Sequence, residues 1–201
     1  NLLEWVALVG YELLLFAGFF FLLGALDDIA VDLHYLWFRL TGKLRTPTVD
    51  EDAAQSQPLR GMAAVMIPTW REAAVIGTTL QHALRAWPQD RLRIYVGCYR
   101  NDPETCRAVI EASRHDRRVR LVVNDRHGPT SKADCLNRIY AAMREDERRS
   151  GIPFRMVLLH DAEDMVDPAA LALLDSALDN AEFVQIPVLP QPQRGSRWIA
   201  G

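Results

Sequence analysis

The residues best placed to do chemistry lie in Phe154–Val166 (FRMVLLHDAEDMV), where Met156, Val157, Leu158 and Leu159 lead straight into His160, Asp161, Glu163 and Asp164. A continuous apolar run of this kind reads as a strand buried on both faces, as in parallel sheets covered by helices. Acids at its carboxyl end then fall where open α/β sheets bind their ligands. Their mutual repulsion is unfavourable unless a cation or a proton offsets it. Hard cations such as Mg²⁺ or Mn²⁺ take oxygen ligands, and when they serve a nucleotide they use one or two carboxylates together with the substrate's phosphates. The competing reading is a solvated acidic loop in which Asp167 caps a helix entered at Pro168. Capping accounts for Asp167 and leaves Asp161, Glu163 and Asp164 unexplained.

Three more segments should reach the same edge, because each follows the carboxyl end of an expected strand. In Pro68-Thr69-Trp70-Arg71-Glu72, Thr69 and Glu72 have the spacing of a capping box, which needs no ligand; a ligand-facing role stays open beside it. In Tyr99-Arg100-Asn101-Asp102-Pro103, Asp102 before Pro103 is either a helix cap or, with Asn101, a hydrogen-bonding partner for a base or ribose. His127-Gly128-Pro129-Thr130-Ser131-Lys132 is a turn in which Thr130 or Ser131 caps a helix whose first N–H groups form an anion site. Lys132 opposes the helix dipole there, a conflict that an anionic ligand such as a phosphate resolves. The segment is not a Walker loop, since GxxxxGK[ST] is absent.

The elements that must hold these loops alternate. Met62–Pro68, Arg93–Tyr99, Val119–Asn124, the acidic strand and Phe183–Leu189 read as strands. Glu72–Trp87, Pro103–Arg114, Lys132–Glu147 and Pro168–Asp179 read as helices, with Ile76, Leu80 and Leu84 or Cys135, Ile139 and Met143 on the inward faces. Such alternation implies right-handed βαβ units and an α/β fold with a mostly parallel sheet, helices on both faces.

Ahead of this lies a different kind of sequence. Trp5–Leu26 is almost wholly apolar with Glu12 its one charge, and a helix of that length spans roughly 33 Å, enough for a hydrocarbon core of about 30 Å. A secretory signal would want a basic leading region, and here Glu4 precedes the run with no Lys or Arg. Ile29, Leu33, Leu36, Trp37 and Leu40 then recur at helical spacing opposite Asp28, Asp32 and Arg39, an amphipathic continuation suited to a membrane interface. Residues 1–45 therefore read as a transmembrane helix plus an interfacial helix, 46–60 as a polar linker, and 61–201 as the α/β part. Arg39, Lys43 and Arg45 on the downstream flank place the rest of the chain in the cytoplasm. A net charge of −3 with no Lys/Arg stripe argues against nucleic acid as the partner. Cys98, Cys106 and Cys135 offer neither CxxC nor an even count, so no zinc site or disulfide framework is indicated.

Taken together, IPTWREAAVIG, YRNDPET, GPTSKADCLN, LHDAEDMV and VQIPVLP resemble the family 2 glycosyltransferases of GT-A fold, and within them the cellulose-synthase-like inner-membrane type that serves phage adsorption. The resemblance runs from the apolar helix to the end of the chain. It implies that Pro68, Thr69 and Glu72 line a nucleotide pocket, that Asp102 lies toward base and ribose, and that Lys132 sits near the nucleotide. Asp161 and Glu163 would be the D-x-D pair holding Mg²⁺ or Mn²⁺ on a nucleotide–sugar diphosphate, with Glu where the family has its second Asp. It further implies a UDP-sugar donor, a glycan acceptor, a bacterial inner-membrane location and an outer-membrane or export partner. The family's D-D-G-S segment after the second strand is absent. So are its T-E-D catalytic base and its Q-x-x-R-W acceptor motif, which Gln193, Arg197 and Trp198 imitate at the wrong spacing. The chain thus reads as the donor-binding half of a longer enzyme, without a catalytic base of its own. A nucleotidyltransferase or a non-catalytic assembly component are the rival readings.

Overall fold

An uninterrupted helix, α1 (Leu2–Leu40), opens the chain. The computed structural model describes residues 1–44 and 50–188, which divide between two units, Asn1–Thr48 and Val49–Gly201. Asn1 caps α1, its Oδ1 accepting from Leu3 N at 3.3 Å. Thr41 Oγ1 donates to the Trp37 carbonyl at 2.8 Å where the helix ends, and Gly42, at φ 67°, turns the chain out of it. Gly24 does not break it, so the two elements expected on either side of that residue are one. At 1.5 Å per residue α1 is roughly 58 Å long. Its most apolar stretch has a mean hydropathy of 2.2 and is not buried within the protein, and the helix is long and apolar enough to cross a membrane.

The second unit is built from α2 (Glu51–Ser56), β1 (Met62–Pro68), α3 (Ile76–Ala86), β2 (Leu92–Tyr99), α4 (Pro103–Ser113), β3 (Val119–Asn124), α5 (Lys132–Ser150), β4 (Phe154–Leu159) and α6 (Ala170–Ala177). The four strands are parallel in the order β3-β2-β1-β4. The chain therefore steps outward from β1 to β3, then returns to the other side of β1. That reversal makes the carboxyl ends of β1 and β4 a topological switch point, the place where such sheets bind ligands.

Two apolar layers hold the sheet. On one face Ala63, Val65 and Ile67 of β1 and Met156 and Leu158 of β4 pack on Ile76, Leu80, Trp87, Val109 and Leu171 from the α3, α4 and α6 regions. On the other, Ala64, Met66, Tyr95 and Tyr99 pack on Cys135, Ile139 and Met143 of α5. Gly97 in β2 sits under α5 so closely that a Cβ there would stand 2.7 Å from both Cys135 Sγ and Ile139 Cδ1. Only a residue without a side chain permits that approach.

Four expectations need correction. β4 is not covered on both faces: Val157 is 46% and Leu159 64% exposed, because among the described residues β4 lies at an edge of the sheet and α5 lies over β1, β2 and β3. Phe183–Leu189 forms no strand over its described residues; Phe183 and Val188 stand exposed with no neighbouring strand to pair them. Much of the supposed linker belongs to the α/β unit. Ala54 packs with Ala169 and Ala172, Gln55 Nε2 donates to the Ala86 carbonyl at 2.9 Å and receives Gln89 Nε2 on its own carbonyl at 2.9 Å, and Leu59 is buried. Residues 46–49 of that segment lie outside the described residues. Finally, α3 starts at Ile76, four residues later than the expected start at Glu72.

Asp175 on α6 anchors the segment that leads into β1. Its buried carboxylate accepts Arg155 Nε at 2.7 Å and Arg60 N at 2.9 Å. Removing one member of a buried, hydrogen-bonded ion pair strands the other, so Asp175→Ala should lower unfolding stability by about 3 kcal/mol in urea titration. A loss below about 1 kcal/mol would show that Arg155 finds water instead.

Candidate functional site at the carboxyl edge of the sheet

The acidic turn is shaped by what lies between its carboxylates. His160 N donates to the Met66 carbonyl at 3.0 Å, carrying the β1–β4 ladder one residue past the strand. Ala162 is then drawn into the core, and its carbonyl accepts Thr79 Oγ1 of α3 at 2.6 Å. With Ala162 pinned inward, its neighbours Asp161 and Glu163 are left on the solvent side, the Asp161 side chain 48% exposed. Asp164 steadies the turn through an Oδ2 that accepts Asp161 N at 3.4 Å. His160 packs edge-on to Trp87 at 5.7 Å. Burial pushes its pKa below the ordinary histidine value, against the opposing pull of Asp164 and Asp161.

Lys132 meets this turn from the far side of the sheet. Ser131 caps α5, its Oγ accepting Asp134 N at 3.1 Å, which leaves Lys132 as the first helical residue with its Nζ in an ion pair with Asp161. The helix start after β3 and the turn after β4 therefore open onto one surface. The cation that the dipole disfavours is compensated here by a carboxylate.

The remaining loops are tied together by buried polar contacts. Thr69 is 3% exposed; its N and Oγ1 both donate to the Gly97 carbonyl at 2.8 Å, and its Oγ1 lies 3.2 Å from Cys98 Sγ. It makes no capping box, and α3 begins without a side-chain cap at Val75. Glu72 N donates to Thr105 Oγ1 at 3.1 Å, and the residue is partly exposed. Pro68 closes β1 and is likewise partly exposed. Asp102, 6% exposed, accepts Arg71 N at 2.6 Å on one oxygen and Thr105 N at 3.4 Å on the other. Asp102, expected toward a base or ribose, ties the first loop to the start of α4 and holds Arg71 at φ 57°, a left-handed conformation uncommon for a side chain of that kind.

Sequence reasoning passed over the contacts that join the second and third loops. Asn101 exchanges two hydrogen bonds with Gly128, Nδ2 to carbonyl at 2.7 Å and N to Oδ1 at 2.8 Å. Tyr99 OH meets Thr130 Oγ1 at 2.6 Å, and Trp70 packs edge-on against Tyr99 at 5.3 Å with the Arg71 guanidinium 5.2 Å over its ring. A Cβ on Gly128 would fall 2.4 Å from Trp70. An aromatic immediately after β1 and another ending β2 were the available signal.

No group of three or more His, Cys, Asp or Glu converges among the described residues, so the protein alone does not form a closed metal cage there. Asp161 and Glu163 present the one or two hard oxygen ligands that Mg²⁺ or Mn²⁺ takes from a protein when phosphates complete its sphere. The donor chemistry fits. A cleft of about 530 Å³ lies elsewhere, at the amino-terminal ends of the strands, and the carboxyl edge takes its identity from its side chains.

Comparison with known proteins finds relatives for most of the chain. The chain is 37% identical over 172 residues to bacteriophage adsorption protein B of Escherichia coli strain K12, and equally to bacteriophage N4 adsorption protein B of Escherichia coli O157:H7. In each case 84% of this chain is covered and 23% of the relative, so the chain spans about a quarter of the length of those proteins. Among solved structures, Staphylococcus aureus TarS 1-349 in complex with UDP-GlcNAc superposes with a TM-score of 0.42 at 13% identity, over 63% of this chain and 37% of that one. Residues 60–200 match the family described as Glycosyltransferase like family 2. The chain belongs to that family.

Proposed function

We propose that the α/β unit binds a nucleotide-sugar, of the UDP class, at the carboxyl edge of its sheet and takes part in transferring the sugar to a growing polysaccharide or surface glycan with inversion at the anomeric carbon. One observation carries this reading: Asp161 and Lys132, far apart in sequence, meet on one exposed surface next to the switch point where the strand order reverses. Carboxylate and ammonium side by side are what a cation-bound diphosphate needs, one to hold the metal and the other to meet the phosphate. Bound between Asp161 and Glu163, Mg²⁺ or Mn²⁺ would neutralise charge growing on the departing diphosphate. Lys132 would exchange Asp161 for a phosphate oxygen, and the amides opening α5 would add their dipoles to it. Pro68 and Glu72 border the pocket, while Thr69 and Asp102 hold its loops in place. A base that accepts the acceptor's hydroxyl proton belongs to none of these positions. The helix α1 would anchor the unit to the bacterial inner membrane, with Arg39, Lys43 and Arg45 keeping the residues after it in the cytoplasm.

Titrating the protein with UDP in Mn²⁺ and then in EDTA tests the site. Binding in Mn²⁺ that falls by at least about tenfold in EDTA is the expected result. Equal affinity in the two would remove the metal–diphosphate reading, and absence of any nucleotide binding would favour a non-catalytic role like the adsorption for which the relatives are named. Incubation with labelled UDP-sugars and nucleoside triphosphates separates sugar transfer, which releases UDP, from nucleotidyl transfer, which releases pyrophosphate.

A further inference from the structure

We propose that the cleft at the amino-terminal edge of the sheet is a second anion site, built to take a small phosphorylated molecule with an apolar or planar part. The cleft holds about 530 Å³, within the roughly 300–1,000 Å³ typical of small-molecule sites. It opens where the strands begin, so it and the acidic turn lie at opposite ends of β1 and β4. Arg93, Arg117, Arg120 and Arg149 line it against one carboxylate, Asp146. Met62, Val119 and Phe154 supply an apolar floor. In a chain whose net charge is −3, this local excess of guanidinium runs against the whole.

Internal pairing does not account for that excess. Asp146 is already engaged by Arg120 and by Tyr95 OH at 2.8 Å. Arg149 pairs with Glu145 on the exposed face of α5. Arg93 Nη1 reaches only backbone, the Leu92 carbonyl at 2.8 Å and the Asp90 carbonyl at 3.4 Å. Among the described residues no acid pairs with Arg93 or Arg117. Arginines spread over a convex surface would be solvated and need no partner. These rim a concavity with an apolar floor, and the planar guanidinium fork matches a phosphate in two hydrogen bonds. The proposal is independent of the donor site, which occupies the other edge of the sheet.

The test is calorimetric titration of the full chain with inorganic pyrophosphate and with ADP in EDTA, which withholds the cation from Asp161 and Glu163. Saturable binding of either ligand is expected, weakened at least about tenfold by Arg93→Ser/Arg117→Ser and unchanged by Lys132→Ala. Arg117→Ser alone, at an exposed residue without a partner among the described residues, should retain the fold and lose part of the affinity. Three results would overturn the proposal: no binding in EDTA, binding lost through Lys132→Ala but indifferent to the arginines, or arginine-dependent capture of phosphatidylglycerol vesicles without binding of either soluble ligand.

Discussion

Asp161→Ala is expected to weaken Mn²⁺-dependent binding of a UDP-sugar by about a thousandfold, leaving only a weak, metal-independent remainder. The size follows from what the carboxylate does. A divalent cation bridging protein and diphosphate contributes several kcal/mol, and a thousandfold change corresponds to about 4 kcal/mol. Glu163 alone would hold the cation poorly, because it stands exposed beyond Ala162. The fold should survive, since Asp161 is half exposed and the turn is held by Ala162 and Thr79 through backbone contacts that the substitution keeps. Calorimetric titration with UDP-sugar in Mn²⁺, beside an unfolding curve, measures both at once. Loss of binding with unchanged stability supports the metal role. Retained Mn²⁺ dependence would move the cation elsewhere.

How much of this was readable beforehand differs from one element to the next, for physical reasons. The limits of β1 and β3 and the first residues of α4 and α5 were legible because local signals set them: Pro103 behind Asp102, Ser131 ahead of Lys132, and short apolar strands between turn residues. The start of α3 was not. Thr69 and Glu72 have capping-box spacing, but tertiary partners, the Gly97 carbonyl and Thr105, took the hydrogen bonds that the box would have made. Periodicity could not reveal the open face of β4, because an unbroken apolar run looks the same in a central strand and at an edge. Phe183–Leu189 has strand composition, yet among the described residues no strand pairs with it, and strand propensity expresses packing more than backbone preference.

The same distinction divides the site. Asp161, Glu163 and Lys132 stood out because their chemistry shows in their types, clustered acids that repel and a lysine that opposes the dipole at a helix start, and the structure brings Asp161 and Lys132 together. Asp102 combines two roles that spacing cannot separate. A cap before proline was visible, yet the contact with Arg71 N depends on the first loop taking a left-handed turn that nothing local in that stretch announces. Buried polar residues of this sort fix where the exposed ones stand.

Lys132→Glu should move two affinities in opposite directions, which makes it the more discriminating of the site substitutions. In the free protein Lys132 neutralises Asp161, so a metal ion must displace an ammonium before it can bind the carboxylate. Putting a carboxylate in that place removes the competitor and adds a third carboxylate beside Asp161 and Glu163, so Mn²⁺ alone should bind more tightly, by about tenfold or more. Donor binding should change the other way. Once the cation sits on the acids, Lys132 is free to meet the diphosphate; a glutamate there would repel it and would also oppose the anion site made by the first amides of α5. Losing a charge-assisted contact of about 1.5–3 kcal/mol and adding repulsion of similar size gives a fall on the order of a thousandfold in UDP-sugar affinity at saturating Mn²⁺. The helix itself should gain slightly, since an acid in its first turn suits the dipole. A damaged fold would therefore not explain the loss. Parallel titrations with Mn²⁺ and with UDP-sugar decide the matter: if both affinities fall together, Lys132 serves only to hold the acidic turn, and the paired metal and phosphate roles are wrong.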